Sequence, residues 1–268
     1  MKHAGWASGG TILMAAWSLD RLLWSPRTLA MGAMAFFPAA LALLFWAVSA
    51  LGFDVPVSGF GFFSLLTATV GLQFIAPMLA LFYSSGILVD ELESGTLVYL
   101  ITRPRSRASL LAGKMAGCLA IAAILFLPSV VLTFFFAVAP GGWEEVGRYF
   151  PVLARDLGAA LLGLAAYSGL FAAIGVVFRR PVLVGLLFVF GWQAVATYVP
   201  GLVGKLTVAY HLQSLLPHES FQGALSGFLG ARESGLHAAL VLIVLSVASH
   251  GFAILVFRRK QFPGGGLY

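Results

Sequence analysis

The charged residues that could do chemistry are concentrated in one short segment, residues 90–114. Its first part carries the carboxylates of Asp90, Glu91 and Glu93, and its second part carries the basic side chains of Arg103, Arg105, Arg107 and Lys114. Carboxylate and guanidinium groups make charge-assisted hydrogen bonds, which are stronger than neutral ones. Two blocks of opposite charge in one segment make it the candidate for a surface that binds a partner, and the alternative is a polar loop.

Motifs for catalysis and nucleotide binding are missing from the rest of the sequence. A phosphate-binding loop needs the pattern Gly-x-x-x-x-Gly-Lys-Ser/Thr, but Gly113-Lys114 has Ala108 in place of the first glycine and is followed by Met115. The sequence also has no His-Glu-x-x-His, no cysteine pair and no Gly-x-Ser-x-Gly. We therefore expect no catalytic residue, metal or cofactor in this chain.

A few polar side chains stand within long apolar runs. His250, Gln73 and Gln193 are the clearest, and His237 stands near the edge of such a run. Polar side chains at depth in a membrane more often join neighbouring helices than bind a substrate, and the sequence leaves their roles open. No Asp or Glu stands within an apolar run, where an ion-coupled carrier usually needs a carboxylate.

The elements that must position these residues are transmembrane helices. The chain has 268 residues, of which 60% are hydrophobic and 10% are charged, whereas a typical soluble domain is about 25% charged. A soluble chain of this composition would expose apolar surface and aggregate. The composition excludes a soluble enzyme, a nucleic-acid-binding domain and a disordered protein, and the single cysteine excludes a disulfide scaffold.

Six runs without Asp, Glu, Lys or Arg are long enough to cross about 30 Å of hydrocarbon as helices. They predict spans at about residues 29–51, 63–89, 115–138, 157–178, 181–199 and 237–257. Because the runs are continuously apolar, they favour helices over the alternating strands of a β-barrel. The predicted fold class is an all-α polytopic membrane protein, in which residues 1–268 form one domain. Residues 206–231 contain His, Pro and Glu and are predicted not to span.

The distribution of Lys and Arg predicts the orientation in the membrane. If both termini are cytoplasmic, 12 of the 16 Lys and Arg residues lie on the cytoplasmic side. The four on the outer side are Arg148, Arg155, Lys205 and Arg232. This asymmetry is the one that the positive-inside rule expects. We therefore predict a multi-pass protein of the cell membrane with both termini inside, and with outer loops at residues 140–156 and 200–235.

Residues 1–27 are predicted to form an amphipathic elbow helix before the first span. Ile12, Ala16, Leu19 and Leu23 share one side at helical spacing, and neighbouring charged residues keep the segment hydrated. Such a helix lies in the interface between membrane and cytoplasm. The alternative is a frayed tail.

The charged segment between spans 2 and 3 has signals for a local structure of its own. Ser94-Gly95 offers a helix stop, because glycine tolerates the left-handed conformation that follows many helices. Thr96 can cap a short new helix, with an apolar side formed by Leu97, Leu100 and Ile101. Pro104 favours a turn, and Ser106 can cap the helix that becomes span 3. A polar loop whose arginines only set the topology does not explain the helix break, the apolar side or the acids. A short helix that docks on a cytoplasmic partner explains all three.

This segment resembles the cytoplasmic signature of ABC-2-type transporter permeases. The resemblance rests on Glu91-x-Glu93-x-Gly95-Thr96-Leu97-x-x-Leu100-x-x-x-Pro104-x-Ser106-Arg107, followed by Gly113-Lys114. The six predicted spans, the cytoplasmic location of both termini and the N-terminal elbow helix are also similar to that family. Arg105 departs from the pattern, since a small or aliphatic residue is expected there.

The resemblance implies a coupling helix between spans 2 and 3 that docks on a cytoplasmic ABC ATPase. Its contact residues would be Glu91, Glu93, Gly95, Thr96, Leu97, Leu100, Pro104, Ser106 and Arg107. ATP and Mg²⁺ would then be bound by the ATPase, in agreement with the missing phosphate loop. A second permease, either another copy or a paralogue, would complete the path through the membrane lipid. No nucleic-acid partner is expected.

The function predicted from the sequence is therefore the membrane permease subunit of an ATP-driven export complex. The alternatives are an ATP-independent secondary carrier or channel, an intramembrane enzyme, and a mechanical transmitter acting on a membrane or periplasmic partner. An enzyme would need two convergent groups at depth, where only His250 clearly stands. The sequence identifies neither the substrate nor the choice between homodimer and heterodimer. For residues 200–235, an ordinary interfacial loop and short helices that dip back to the outer membrane face, as in similar permeases, stay equally open.

Overall fold

The computed structural model describes residues 4–53, 56–87, 107–193, 204–216 and 234–259, and every regular element within these ranges is a helix. Apart from 3₁₀ turns at Ala139–Gly141 and Gly204–Leu206, the helices in chain order are α1 (Ala4–Leu23), α2 (Pro26–Ala35), α3 (Phe37–Ala50), α4 (Gly59–Ile87), α5 (Arg107–Val138), α6 (Trp143–Val177), α7 (Pro181–Leu186), α8 (Val208–Leu215) and α9 (Gly235–Arg259). Two stretches are π-helical, namely Leu66–Ile75 within α4 and Leu187–Gln193, which continues α7. The all-α fold class is confirmed for this part of the chain.

Four of these helices, α4, α5, α6 and α9, are long and apolar enough to cross a membrane. They match predicted spans 2, 3, 4 and 6. The bent pair α2–α3 is a fifth candidate and matches predicted span 1. For predicted span 5, the described apolar helix covers only Pro181–Trp192, and residues 194–203 lie outside the described residues. The structure supports four or five spans, and the sixth stays a prediction.

The first span is bent by 42° between α2 and α3. Pro38 stands at the start of α3, where it has no backbone N–H to donate and its ring would collide with the carbonyl one turn earlier. Phe36, between the two helices, has φ −86° and ψ 0° and donates its N–H to the carbonyl oxygen of Gly32 at 2.9 Å. Proline is a usual cause of a sharp kink. A continuous apolar run thus predicts the length of this span but not its change of direction.

Helix α6 is longer than the predicted fourth span, because residues 143–156, which the sequence predicts to lie in an outer loop, are helical. Their place on the outer side stays a prediction. The helix begins at Trp143, directly after Gly142 with its φ of +100°. Glu144 and Glu145 stand in its first turn, where negative charge is favourable because the helix dipole is positive there. The charged residues end the apolar run of the sequence, but they do not end the helix.

Helix α8 is a short helix packed inside the bundle. The side chain of Thr207 caps it by accepting a hydrogen bond from a backbone N–H one turn later, at 3.2 Å. Val208 and Leu212 are buried in one apolar cluster with Tyr167 of α6 and Leu242 of α9. The eight residues of α8 rise only about 12 Å, so α8 does not span. Its burial favours a helix that dips into the bundle over a loop on the surface.

Helix α1 packs along the first half of α5. At Gly117 of α5, an added Cβ atom would lie 2.8 Å from the Cβ of Ser18 and 3.0 Å from the carbonyl oxygen of Ala15. Leu19 packs against the core, whereas Ile12 is 70% exposed. The predicted apolar side is thus divided between the protein and its surroundings. The helix predicted before span 1 is present, and its place in the membrane interface stays a prediction.

The two ends of the bundle differ in chemistry. The arginine end holds Arg27 and Arg179, where α2 begins and where α4 and α6 end. The aromatic end holds Phe60, Phe134 and Tyr149, where α4 begins and α5 ends. Under the predicted orientation, the arginine end faces the cytoplasm.

Candidate coupling site at the arginine end

Most of the predicted contact residues lie outside the residues that the structure describes. These are Glu91, Glu93, Gly95, Thr96, Leu97, Leu100, Pro104 and Ser106. Arg107 is the first residue of α5. The structure therefore describes the two anchors of the segment, Ile87 at the end of α4 and Arg107 at the start of α5. The candidate site is built from the helices that hold these anchors.

Hydroxyl groups tie the end of α4 to the start of the first span. The hydroxyl of Tyr83 donates a hydrogen bond to Oγ1 of Thr28 at 3.0 Å, and both residues are buried. Oγ1 of Thr28 donates in turn to the carbonyl oxygen of Leu22 in α1, at 2.5 Å. Buried polar groups in native structures are paired, because an unpaired one costs free energy. This short chain of bonds fixes α4 against α1 and α2.

Two further hydrogen bonds tie the end of α4 to α5 and α6. The thiol of Cys118 in α5 donates to the carbonyl oxygen of Tyr83 at 3.2 Å. The hydroxyl of Ser84 donates to Oγ of Ser168 in α6, also at 3.2 Å. All four residues are buried. The last turns of α4 thus make directional contacts with α2, α5 and α6.

A close backbone contact completes this arrangement. A Cβ atom added at Gly175 of α6 would lie 2.5 Å from the carbonyl oxygen of Ser85, so a larger residue would require the backbone to shift. Small residues let helix backbones approach closely in membrane bundles. Ser85–Ile87 form the 3₁₀ turn that leads to residue 88, and this turn is held directly against α6.

We call six of the residues that make these contacts the α4 junction. They are Thr28, Tyr83, Ser84, Cys118, Ser168 and Gly175. Hydroxyls, a thiol and a glycine in these contacts fix positions and form no pair of nucleophile and base. Within the described ranges, no group of three or more His, Cys, Asp or Glu side chains could hold a metal. The α4 junction is therefore a structural contact that ties the last turns of α4 to α2, α5 and α6.

The polar residues predicted at depth have different surroundings. Nδ1 of His250 lies 2.8 Å from the carbonyl oxygen of Ser246 one turn earlier, so this histidine bonds within its own helix, whereas the sequence favoured a neighbouring helix. Its ring lies against Gly169 of α6. The amide nitrogen of Gln73 is buried and has no hydrogen-bond partner in the described part of the chain. The side chain of Gln193 is not among the described ones.

Asp156 is a functional candidate that the sequence reasoning missed. It lies within α6 and none of its surface is exposed, whereas the sequence placed it in an outer loop. Leu153 and Ala160 are buried as well, and they stand three residues before and four residues after it. This helical spacing, extended past the end of the apolar run, would have placed Asp156 on the buried face. The described core therefore contains a carboxylate.

A comparison with protein families covers the bundle from the end of α1 onward. A family model described as ABC-2 family transporter protein matches residues 21–262. The chain belongs to the ABC-2 transporter family. No curated protein sequence matches it at a significant level.

The match confirms the predicted resemblance to ABC-2 permeases at the level of the family. The match begins within α1 and ends after α9, so it includes the candidate spans and the segment between α4 and α5. Proteins of this family are normally non-catalytic membrane subunits that associate with an ABC ATPase. The chain is accordingly a multi-pass membrane permease of an ABC system.

Proposed function

We propose that this ABC-2 permease is the membrane subunit of an export complex driven by a separate ATPase. Residues 91–107 dock on that ATPase through the predicted contact residues, and both termini face the cytoplasm. ATP and Mg²⁺ bind in the partner. A second permease, either a copy or a paralogue, completes the path by which substrate moves across or out of the membrane.

The α4 junction is the observation that carries this proposal. A docking segment acts on the spans only if its anchors are attached to them. The anchor at Ile87 follows Ser84 and Ser85, which contact α6, and the anchor at Arg107 begins α5, which bonds to α4. A displacement of the segment would therefore change how α2, α5 and α6 sit together, as a rigid-body switch requires. A loop that only sets topology has no need of such attachments.

Co-expression with an ABC ATPase encoded in a neighbouring reading frame tests the proposal. The purified permease alone should hydrolyse no ATP, and it should retain the ATPase through purification. Glu93→Ala combined with Arg107→Ala should weaken retention by more than about tenfold, since losing one partner of a desolvated charged contact costs about 2–5 kcal/mol.

Matched control variants lie at the aromatic end. Glu144→Ala combined with Arg148→Ala removes the same two charge types from exposed positions of α6, and this protein should retain the ATPase fully. ATP hydrolysis by the permease alone would contradict the proposal. Equal retention by the two double variants would show that residues 91–107 are not the docking surface.

The buried Asp156 favours one other candidate, an ion-coupled secondary carrier. A carboxylate inside a bundle is the group through which such a carrier binds a proton or a cation. In proteoliposomes without ATPase, a carrier would move substrate down an ion gradient, and Asp156→Asn would abolish that movement. The export permease should move substrate only with ATPase and ATP present. ATP-dependent assembly without movement of solute would identify a mechanical transmitter instead.

A further inference from the structure

A cavity of about 530 Å³ opens at the arginine end, between α2, the end of α4 and the start of α7. Its lining combines three arginines with apolar side chains. The arginines are Arg27, Arg179 and Arg180, and the apolar residues include Leu22, Met31, Phe82, Val182 and Leu183. Ligand sites usually have volumes of about 300–1,000 Å³ and combine apolar walls with a few polar groups. The size and lining of this cavity therefore suit a ligand with a charged part and an apolar part.

The charge of the cavity is positive. Arg27 stands in the first turn of α2, and Arg179 and Arg180 form the turn between α6 and α7. No acidic residue is among the described lining residues, and the guanidinium groups of Arg179 and Arg180 have no hydrogen bond or ion pair in the described ranges. Guanidinium groups match the geometry of phosphate oxygens and bind them in pairs of hydrogen bonds. The charged part of the ligand is therefore an anion of the phosphate type.

The apolar part of the cavity is open to the surroundings of the bundle. Leu183 lines the cavity and is 58% exposed, and Trp24, just before α2, is 86% exposed. Tryptophan is enriched at the level of lipid headgroups. Basic pockets between transmembrane helices on the cytoplasmic side bind anionic headgroups. These features fit a lipid better than a water-soluble phosphate compound, which would leave the apolar lining unused.

We propose that this cavity binds an anionic phospholipid of the cytoplasmic leaflet. The phosphate lies on Arg179 and Arg180, beside Arg27, and an acyl chain lies against the apolar lining. Tyr83 of the α4 junction also lines the cavity, so the lipid sits beside the bond between Tyr83 and Thr28. The site shares only its membrane orientation with the proposed export function and requires no ATPase, so the two proposals can fail independently.

Native mass spectrometry of the full-length protein in mild detergent tests the charged part of the site. With added phosphatidylglycerol or phosphatidylethanolamine, the wild-type protein should bind phosphatidylglycerol at least fivefold more tightly. Arg179→Gln combined with Arg180→Gln should remove this preference. Arg258→Gln combined with Arg259→Gln removes the same charge from the exposed end of α9 and should preserve it.

A second pair of variants tests the apolar part. Ala30 lines the cavity and is exposed, so Ala30→Trp should fill the space and weaken phosphatidylglycerol binding at least fivefold with all arginines present. Ala40→Trp places the same side chain on an exposed position of α3 outside the cavity and should have no effect. Normal folding of both variants would be checked by gel filtration.

Three results would overturn the proposal. Equal loss of preference in the two arginine pairs would mean that any positive charge at this end attracts the lipid. Unchanged binding by Ala30→Trp would place the lipid elsewhere. The third result is a wild-type protein that shows no preference for phosphatidylglycerol but gains one when Asp90, Glu91 and Glu93 are neutralised. It would mean that acids of the chain itself occupy the arginines.

Discussion

The aromatic end and the arginine end hold the same helices together by different forces. At the aromatic end, Phe60 stacks on Tyr149 with ring centroids 3.9 Å apart, and Phe63 meets Phe134 edge to face at 5.2 Å. At the arginine end, α4 is held by hydroxyl and thiol hydrogen bonds and by the backbone contact at Gly175. One end relies on packed aromatic area and the other on directional contacts between small groups.

The difference concerns which end can act as a switch. Aromatic contacts are individually weak and broad, so their energy changes gradually when rings slide. A hydrogen bond weakens steeply once its angle or distance departs from a narrow range. The arginine end therefore favours one discrete arrangement of α4 against α2, α5 and α6, which a second arrangement could replace. This is the end from which residues 88–106 continue.

The largest expected effect on stability comes from the aromatic end. Phe134 is fully buried between Phe63 and Phe135, and Phe134→Ala should lower the free energy of unfolding by about 3–5 kcal/mol. Leu132→Ala, on the exposed side of the same helix, should cost far less. Thermal unfolding in detergent measures both. A small loss for Phe134→Ala would mean that the aromatic end is not the stabilising end.

The next effect separates two glycines of the same helix. Gly175→Ala forces a methyl group against the carbonyl of Ser85 and should cost about 1–3 kcal/mol through overpacking. Gly158 has no atom within 4 Å of an added Cβ, so Gly158→Ala should stabilise α6 by about 0.5–1 kcal/mol. Unfolding midpoints that move in opposite directions confirm the close contact, and a parallel shift would contradict it.

A smaller effect comes from removing one hydroxyl at each end. Tyr83→Phe deletes the donor to Thr28 and should cost about 1 kcal/mol. Tyr149→Phe keeps the ring stack on Phe60 and should be nearly silent, because no hydrogen bond of its hydroxyl is found in the described part of the chain. Denaturant titration of the two variants in one detergent compares them. Similar losses would remove the distinction between the two ends.

The sequence predicted best where long apolar runs decide the structure. Helices α4 and α9 begin and end within four residues of predicted spans 2 and 6, and α5 ends at the predicted limit of span 3 although it begins eight residues before it. Charged side chains enter the hydrocarbon only at a cost, so they end the apolar runs. The sequence predicted worst where charged residues lie inside a helix. The first part of α6 is the example, because its charged residues indicate a loop when only the sequence is considered. The buried Asp156 was missed for the same reason. The length of an apolar run indicates which part of a helix lies in the hydrocarbon, and the helix itself can continue beyond that part.

The α4 junction could not be predicted from the sequence. Thr28, Tyr83, Ser84 and Ser168 stand in or beside runs that read as uniformly apolar, and nothing local shows that a hydroxyl of one span faces a hydroxyl of another. Gly175 is likewise one of 31 glycines, and only its contact with Ser85 distinguishes it. The sequence identified the segment between the anchors, while the structure describes the anchors themselves.

The smallest expected effect tests whether the α4 junction acts as a unit. A double-mutant cycle of Ser84→Ala and Ser168→Ala should give a coupling energy of about 0.6 kcal/mol, the average for hydrogen bonds between membrane helices. Each single loss is small because a remaining serine can bond to its own helix. Transport per ATP hydrolysed should nevertheless fall in all three variants, since the bond fixes the position of α4 rather than the stability of the bundle.

The matched cycle uses the stacked pair Phe60 and Tyr149, each replaced by leucine. Such a pair is worth about 0.5–1.5 kcal/mol, so this cycle should show an equal or larger coupling energy with transport per ATP unchanged. If the variants of both cycles lower transport per ATP in proportion to their loss of stability, the two ends have the same role. If only the serine variants lower transport per ATP, the weaker contact is the one that transmits the movement. The reason is that transmission depends on the direction of a bond and not on how much the bond stabilises the protein.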